Sequence, residues 1–400
     1  MMVLVLNAGS SSQKSCLYSL GDFLPDIPTE PLWKAHLDWT VAQETGLLTV
    51  KSHGHEQKIE VTATETGLEV LLETLIQGET RVLNSLEDID LVGHRVVHGG
   101  AKYSQATVIT TEVKKAIADL IPLAPNHNPA HLAGIETIET LLPNVPQVAV
   151  FDTAFHTTIP ESAKVYPLPY EWYEQGIQRH GFHGISHQYC ANRAAQILHK
   201  PLESLKIVTC HLGNGCSLAA IKDGICVDTT MGFSPLEGLM MGTRCGSIDP
   251  QIPLYLLQEY GLDVEAVNRL LNQESGLKGV SGISGDMREI NQAIAAGNQR
   301  ATLALEIYIH RLKSSIGAMV ASLNGLDVLV FTGGVGENTA IVREKTCEGL
   351  TYLGLQLDLA KNHHHPVDQN IATDSSPKAI LVIHTQEDWA IALAAASTVS

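Results

Sequence analysis

The sequence runs to 400 residues with 43 acidic and 26 basic side chains, a formal net charge of −17 with histidine neutral, and is 44% hydrophobic but only 17% charged. That balance buries well and excludes a disordered or collagen-like chain. The negative charge argues against unspecific binding to DNA or anionic membranes, so an anionic ligand needs cations gathered locally. The length exceeds one ordinary core and predicts two domains with a cleft between them.

Residues 1–6 form an apolar run without a basic flank or cleavage signature, and no apolar stretch approaches about 20 residues, so neither a signal peptide nor a membrane span is expected. Seven cysteines, an odd number without a CxxC pair, disfavour a disulfide framework and a zinc site; the expected location is the reducing cytoplasm.

In chain order, residues 3–6 read as a strand that runs into NAGSSSQK (7–14), a turn of small residues, hydroxyls and a lysine suited to holding phosphate oxygens. Residues 22–60 read as an insertion or irregular β region. A strand at 91–97 carries GHRVVHGG, with Arg95 at its end beside glycines, where a guanidinium fork matches carboxylate or phosphate oxygens. The phrase APNHNP holds His127. The strand at 147–151 ends on Asp152, and GFHGISH follows with His183 between Gly181 and Gly184 and with His187 beyond. Most histidines are structural or exposed; His183 is the functional candidate.

A strand at 207–210 ends on His211 and opens a second glycine-rich turn, HLGNG, whose glycines permit close backbone approach. This strand, turn and apolar run repeats the plan of the first, as two related domains would, although two unrelated hairpins would look the same. The phrase MGTRCGSIDP puts Arg244 in a loop. Apolar residues at a spacing of three and four predict one long helix from about 290 to 323, with Gly297 and Gly317 as possible breaks. A strand at 327–331 leads through FTGGVGEN to a helix expected to start near Thr339 or Ala340, which suits a nucleotide on a helix N-terminus. His363 to His365 fall in an expected exposed loop, and a last strand covers 379–383. Strand ends carrying Asn7, Asp152, His211 and Thr332 point to one crevice, since α/β sheets bind ligands outside the carboxyl ends of strands. No Gly-Lys dipeptide exists, so a Walker A loop is absent, and a Rossmann fingerprint fails at Thr339.

The ordered phrases NAGSSSQK, GHRVVHGG, HNP, VFDTAFH, RHGFHGISH, HLGNG, MGTRCGSIDP, SGISGDMREI and FTGGVGEN resemble the acetate kinase family over nearly the whole chain. The resemblance implies an α/β fold of two duplicated RNase H-like domains, of the actin, Hsp70 and sugar-kinase type, with the active site in the cleft between them. The domains would be 1–152 with 387–400, and 153–386 for the nucleotide. It implies reversible, Mg²⁺-assisted transfer from ATP to acetate, giving acetyl phosphate and ADP, with Mn²⁺ as a substitute metal and a homodimer. Asn7 and Glu387 resemble the metal-site residues, and Ser10, Ser12 and Lys14 the first phosphate loop. Arg95 resembles the group that binds the substrate carboxylate, and Asp152 the residue assigned as acid or base. His183 and Arg244 resemble the transition-state stabilisers. His211, Leu212, Gly213, Asn214 and Gly215 would form the second phosphate loop. Asp286, Met287 and Arg288 with Gly334, Val335, Gly336, Glu337 and Asn338 would hold the nucleoside. The acyl pocket would comprise Val97, Asn126, His127, Phe182 and Pro235.

Two departures stand out: Asn126 replaces the family's usual apolar residue, and TQEDWAIA varies around Glu387. The first leaves a propionate or broader short-chain carboxylate kinase as the alternative. A nucleotide-driven binding module would need a peptide-binding or polymer-contact segment, and a sugar kinase a sugar-recognition loop; neither is apparent.

Overall fold

The computed structural model describes residues 1–9, 12–21, 24–25, 27–39, 45–62, 67–125 and 127–400. Ser10 and Asn126 therefore lie outside the described residues. The chain divides into two compact units, Met1–Ala154 with Gln386–Ser400, and Phe155–Thr385.

The first unit is built on β1 (Met2–Ala8), β2 (Ser12–Ser19), β3 (Trp33–Asp38), β4 (Thr45–Ser52), β5 (His55–Thr62), β6 (Leu91–Val96), β7 (Thr107–Val108) and β8 (Gln147–Phe151), in the order β5-β4-β3-β2-β1-β6-β8-β7. The segment expected to be irregular thus supplies three strands of this sheet. Val3 to Leu6 are all buried because both faces of β1 are covered. On one face Leu4 and Leu6 pack with Leu68, Leu71 and Leu75 of the helix Gly67–Ile76. On the other lies the helix Glu387–Val399. A Cβ on Gly93 of β6 would stand 3.0 Å from Ile391 and 3.2 Å from Ala395, so only glycine lets that helix lie so close. Trp389, 1% exposed, meets Tyr18 of β2 edge-on at 5.3 Å. Burying side chains such as Ile391 stabilises the docked helix by about 1.5–3 kcal/mol each.

The second unit holds β9 (Ile207–Leu212), β10 (Cys216–Lys222), β11 (Ile225–Thr229), β12 (Val328–Thr332), β13 (Gln369–Asn370) and β14 (Ala379–Val382), in the order β11-β10-β9-β12-β14-β13. The two sheets share one plan. β1 pairs antiparallel with β2 and β2 with β3, while β1–β6 and β6–β8 are parallel. β9 pairs antiparallel with β10 and β10 with β11, while β9–β12 and β12–β14 are parallel. The two similar sequence phrases are the first hairpins of a duplicated α/β fold.

The predicted long helix is two, Met287–Ala295 and Gln299–Leu323. Gly297 takes φ +85° at the break, and the Asn298 side chain caps the second helix by accepting from the Ala301 N–H at 2.9 Å. Gly317 stays inside that helix. The helix expected to start near Thr339 or Ala340 does so, as Ala340–Glu348, and a short helix, Gly333–Asn338, precedes it. The short helix has a local cause: Glu337 reaches back to accept from the Gly333 N–H at 2.9 Å, satisfying a first-turn donor. Gly333 has φ +76°, and a Cβ there would lie 2.9 Å from the Leu212 carbonyl oxygen. Among the described residues no helix is long and apolar enough to cross a membrane, and all seven cysteines are free.

Candidate active site

In the first unit the parallel register of β6 and β8 sets Arg95 opposite Val150, with Asp152 just past the end of β8. The Arg95 Nε and Nη2 donate to one Asp152 carboxylate oxygen at 3.1 and 2.5 Å, and Nη1 donates to Asn7 Oδ1 at 3.3 Å. Asn7 passes its own amide hydrogen to Asp388 Oδ1 at 2.7 Å. Asp152 is 2% exposed. Burial works against the Arg95 charge, but Asp152 and then Glu387 outweigh it and push the guanidinium's pKa up. Asp152, Glu387 and Asp388 all act on this one arginine.

Oxygen donors alone, from the Asn7 amide and the two carboxylates that open the last helix, suit Mg²⁺, which takes one or two carboxylates plus substrate phosphates rather than a full protein cage. Among the described residues no group of three or more His, Cys, Asp or Glu side chains is placed to hold a metal ion by itself. The sequence singled out Glu387; in the structure Asp388 is the carboxylate bonded to Asn7, and Cys16 Sγ donates to its other oxygen at 3.6 Å.

Ser12 and Lys14 begin β2, with Lys14 exposed and paired in register with Asn7. The Gly9 N–H closes the turn on the Ser12 carbonyl at 2.7 Å. Val97 is buried and donates its N–H to His131 Nδ1 at 3.3 Å, while His131 Nε2 donates to the Ala8 carbonyl at 3.1 Å. Burial pushes His131 down to about 3, so the ring is neutral and this tautomer is fixed. His131 thereby ties the first phosphate turn to the end of β6. Sequence reading passed over it, although it sits one helical turn beyond half-buried His127, whose ring is 6.4 Å away.

The second unit gathers His183, His211, Gly215 and Arg244. His183 has φ +58° at the start of the helix Gly184–Leu198, its ring stacked on His211 at 4.3 Å and its Nδ1 2.8 Å from Ser217 Oγ. Just before it, Gly181 leaves room for the His156 ring, since a Cβ there would lie 2.6 Å from that ring. Phe182 is buried, and its carbonyl accepts from His156 Nε2 at 3.0 Å. A Cβ on Gly215 would meet Arg244 Nη2 at 2.9 Å and His183 Nε2 at 3.4 Å, so both side chains converge over this turn. Arg244 donates through Nη1 to the Pro235 carbonyl at 2.7 Å and has no carboxylate partner among the described residues. A largely desolvated guanidinium without a counter-charge, in a chain this acidic, is a ready anion site.

Three loops stack beside it. The Gly242 N–H donates to the Asn214 carbonyl at 3.1 Å, and a Cβ on Gly285 would lie 2.9 Å from the Gly242 carbonyl. Asp286 then caps the helix Met287–Ala295 through the Arg288 N–H at 2.8 Å; Arg288 is exposed, whereas the Met287 side chain is buried in the core, as is Leu212. Gly334 and Asn338 are exposed, and nothing lies within 4 Å of a Cβ at Gly334. Gly336 is buried and Val335 half-buried. Glu337 is engaged internally: it accepts from Gly333 and Thr385 N–H groups at 2.9 and 3.1 Å and meets His384 Nδ1 at 2.6 Å. Burial raises its pKa, but His384 and the backbone donors prevail and the carboxyl ends below its usual range. Arg343, 1% exposed, grips the Gly336 and Glu337 carbonyls at 2.8 and 2.9 Å and Asn362 Oδ1 at 2.7 Å. This buried arginine, which shapes the nucleotide-type loop, carried no sequence signal beyond its place in the next helix.

A duplicated sheet whose strand ends present cations over glycine-rich turns defines a kinase of the actin, Hsp70 and sugar-kinase architecture. The chain belongs to the acetokinase family, whose family model matches residues 2–393, and it is a phosphotransferase with a carboxyl group as acceptor. It is 63% identical over 396 residues to the acetate kinase of Rippkaea orientalis and 62% over 395 residues to that of Gloeothece citriformis, covering 98% of both chains each time. Among solved structures, Porphyromonas gingivalis acetate kinase aligns with a TM-score of 0.91 at 40% identity over 100% of both chains. A propionate kinase from Francisella tularensis aligns at 0.90 and 38% over 99% of both.

Proposed function

We propose that the chain moves the γ-phosphoryl group of ATP onto acetate, giving ADP and acetyl phosphate, and runs the reverse reaction. The observation that carries the reading is Arg244: a desolvated guanidinium without a carboxylate partner among the described residues, sharing one glycine turn with His183. Phosphoryl transfer passes through a loose, in-line transition state with charge on three equatorial oxygens, so positioned cations do most of the catalysis. Arg244 and His183 clamp those oxygens, and Arg95 holds the acceptor carboxylate. A carboxylate of pKa roughly 4 to 5 is already ionised at neutral pH and needs no strong base. Asp152 accordingly orients Arg95 rather than abstracting a proton, and would lie beside the metal when that is bound. Mg²⁺, or Mn²⁺ in its place, would be held by Asn7 with Glu387 and Asp388, and would neutralise phosphate charge.

The second unit takes the nucleotide on the turns at 211–215, 286–288 and 334–338, and the first takes the phosphates on Ser10, Ser12 and Lys14. The candidates for contact with the acyl group are Val97, Asn126 and His127 in the first unit and Phe182 and Pro235 in the second. A cytoplasmic homodimer completes the reading, tested by light scattering. The acyl preference is for acetate, as the names of the 62–63% identical relatives support. One methylene changes binding by about 1–3 kcal/mol in such a pocket, so the preference is graded. Trapping acyl phosphate with hydroxylamine from ATP and acetate tests the reaction, and kcat/KM for acetate, propionate and butyrate tests the preference. No trapped product at saturating Mg²⁺ refutes the proposal, and Asn126→Leu without effect on chain preference removes Asn126 from the pocket.

A further inference from the structure

The loop that carries Arg244 leans on a cluster of three half-buried polar side chains, Tyr166, Arg179 and Glu237, that the clamp itself does not include. Two short stretches run side by side: Val165 pairs with Gln178, and the Arg179 N–H donates to the Lys164 carbonyl at 2.9 Å. This sets the Arg179 guanidinium over the Tyr166 ring, 5.5 Å from its centroid. Glu237 joins them from the loop: its Oε1 accepts from Arg179 Nη2 at 2.9 Å, and its Oε2 accepts from the Tyr166 hydroxyl. The Tyr166 oxygen in turn accepts from the Phe233 N–H at 2.8 Å. Burial first, then the bond to Glu237, pushes the Tyr166 phenol up from its usual range, so the hydroxyl keeps its proton and donates it. Only glycine fits at 232, where a Cβ would stand 1.6 Å from Glu237 Oε2 and 2.0 Å from the Tyr166 oxygen.

The Tyr166 hydroxyl thus bonds both ends of the segment 233–237, and Pro235 is the middle of that segment. Apart from the Phe233 N–H to Tyr166, no main-chain group of 233–237 bonds to anything outside residues 232–247 among the described residues. The cluster therefore decides where the Pro235 carbonyl points. That carbonyl accepts from Arg244 Nη1 at 2.7 Å, the one hydrogen bond of the guanidinium among the described residues. The backbone of Arg244 is fixed independently, its carbonyl by the Met241 N–H at 3.2 Å and the next residue, Cys245, by donation to the Leu271 carbonyl at 3.0 Å. What the cluster governs is the tip of the side chain.

We propose that Tyr166, Glu237 and Arg179 are positioning residues that set the Arg244 guanidinium through the Pro235 carbonyl. This role rests on the reading of Arg244 as a clamp on the phosphoryl oxygens, and deepens it. A guanidinium held by one carbonyl and no carboxylate goes where that carbonyl is put, and its forked donors are useful to an anion only in one orientation. Pro235 faces two ways: its carbonyl holds the clamp, while its ring is a candidate for contact with the acyl group. A shift of 233–237 moves both together. The turns at 286–288 and 334–338 are held by other bonds, those of Asp286 and Glu337.

The test is a double-mutant cycle on kcat for acetyl phosphate formation, with Tyr166→Phe and Arg244→Ala as its arms. Tyr166→Phe removes one hydroxyl and keeps the ring under Arg179. It is expected to lower kcat about tenfold, since a misplacement of about 1 Å is worth on the order of 100-fold, and to raise the KM for acetate while the KM for ATP stays nearly unchanged. In the Arg244→Ala protein, with no guanidinium left to misplace, the same change should cost less than about twofold, whereas a purely structural loss would cost the same in both backgrounds. Full kcat in Tyr166→Phe, or an equal loss in both backgrounds, overturns the positioning role. A second readout needs no turnover: in ¹⁵N-arginine-labelled full-length protein the Arg244 guanidinium, assigned by Arg244→Ala, should give separate Nη signals in the parent and averaged ones in Tyr166→Phe, and identical spectra overturn the role. Failure of the unmodified protein to make acetyl phosphate sinks the functional reading without altering that NMR result. If Tyr166→Phe does not fold, Glu237→Gln, which keeps the side-chain volume but has a single oxygen to accept from Tyr166 and Arg179, goes through both measurements with the same expected and overturning results.

Discussion

Gly215→Ala is the sharpest perturbation the second unit offers. The new methyl carbon would sit 2.9 Å from Arg244 Nη2 and 3.3 Å from His183 Cε1. Ordinary contact begins near 3.5 Å, so the guanidinium must move by about 0.6 Å and the imidazole edge by about 0.2 Å. Folding tolerates this, because both obstacles are side-chain ends and Gly215 is not among the positive-φ residues. Removing backbone freedom from the unfolded chain even favours alanine by about 0.4–1 kcal/mol. Catalysis does not tolerate it. Arg244 Nη1 is anchored on the Pro235 carbonyl, so the shift falls on Nη2, the end that shares the turn with His183. Misplacement of a catalytic group by about 1 Å is worth on the order of 100-fold in rate, and two groups move here. The expected result is a kcat for acetyl phosphate formation reduced about 10- to 100-fold, with an unfolding temperature no lower than that of the parent. A variant with full kcat would show that Arg244 and His183 do not act over Gly215.

Three further outcomes are expected. Asp152→Asn leaves the Arg95 guanidinium without its main counter-charge; breaking such a pair costs about 3–5 kcal/mol when fully buried, so lower stability, a raised KM for acetate and an altered Mg²⁺ dependence should appear, and full activity with unchanged Mg²⁺ dependence would contradict the role given to Asp152. Burial holds His94 and His156 at about 4 and His131 at about 3, below the unfolded value near 6.5, so the unfolded chain binds more protons in that window. Stability is therefore complete above about pH 6.5 and declines as pH falls toward 4, by up to about 1.4 kcal/mol per group per unit; equal urea midpoints at pH 7.5 and 5.5 would refute this. Glu337→Ala removes contacts to Gly333, Thr385 and His384, so a loss on the order of 3 kcal/mol and a raised KM for ATP with little change for acetate are expected from urea titration and steady-state kinetics.

The strands at 3–6, 91–97, 147–151, 207–210, 327–331 and 379–383 were legible because each is a short β-branched run ending in a glycine- or polar-rich turn; β3, β4 and β5 were not, their segment reading only as an insertion or irregular β region. The two hairpins were visible as similar phrases. Their relation needed the sheet: only the matched pairing of β1, β2, β3, β6 and β8 with β9, β10, β11, β12 and β14 shows that they are copies. Arg244 and His183 could be picked out because glycines surround them. Asp388, His131, Arg343 and Ser217 could not, since what defines them is a partner distant in sequence: Asn7 for Asp388, Ala8 and Val97 for His131, Asn362 for Arg343, and His183 and His187 for Ser217. The short helix Gly333–Asn338 escaped because Thr332 before it makes no side-chain cap bond and the first N–H is satisfied from inside the turn by Glu337.

The helix Glu387–Val399 belongs to the unit that begins the chain, although all of Phe155–Thr385 intervenes. During synthesis the opening sheet therefore leaves the ribosome with its Gly93 face bare, and keeps it so until the last helix has been made and docks Ile391 and Ala395 there. The Asp388 carboxylate reaches Asn7 in that same closing event. A product cut short anywhere in the second unit thus lacks this carboxylate and leaves the Gly93 face of the sheet uncovered.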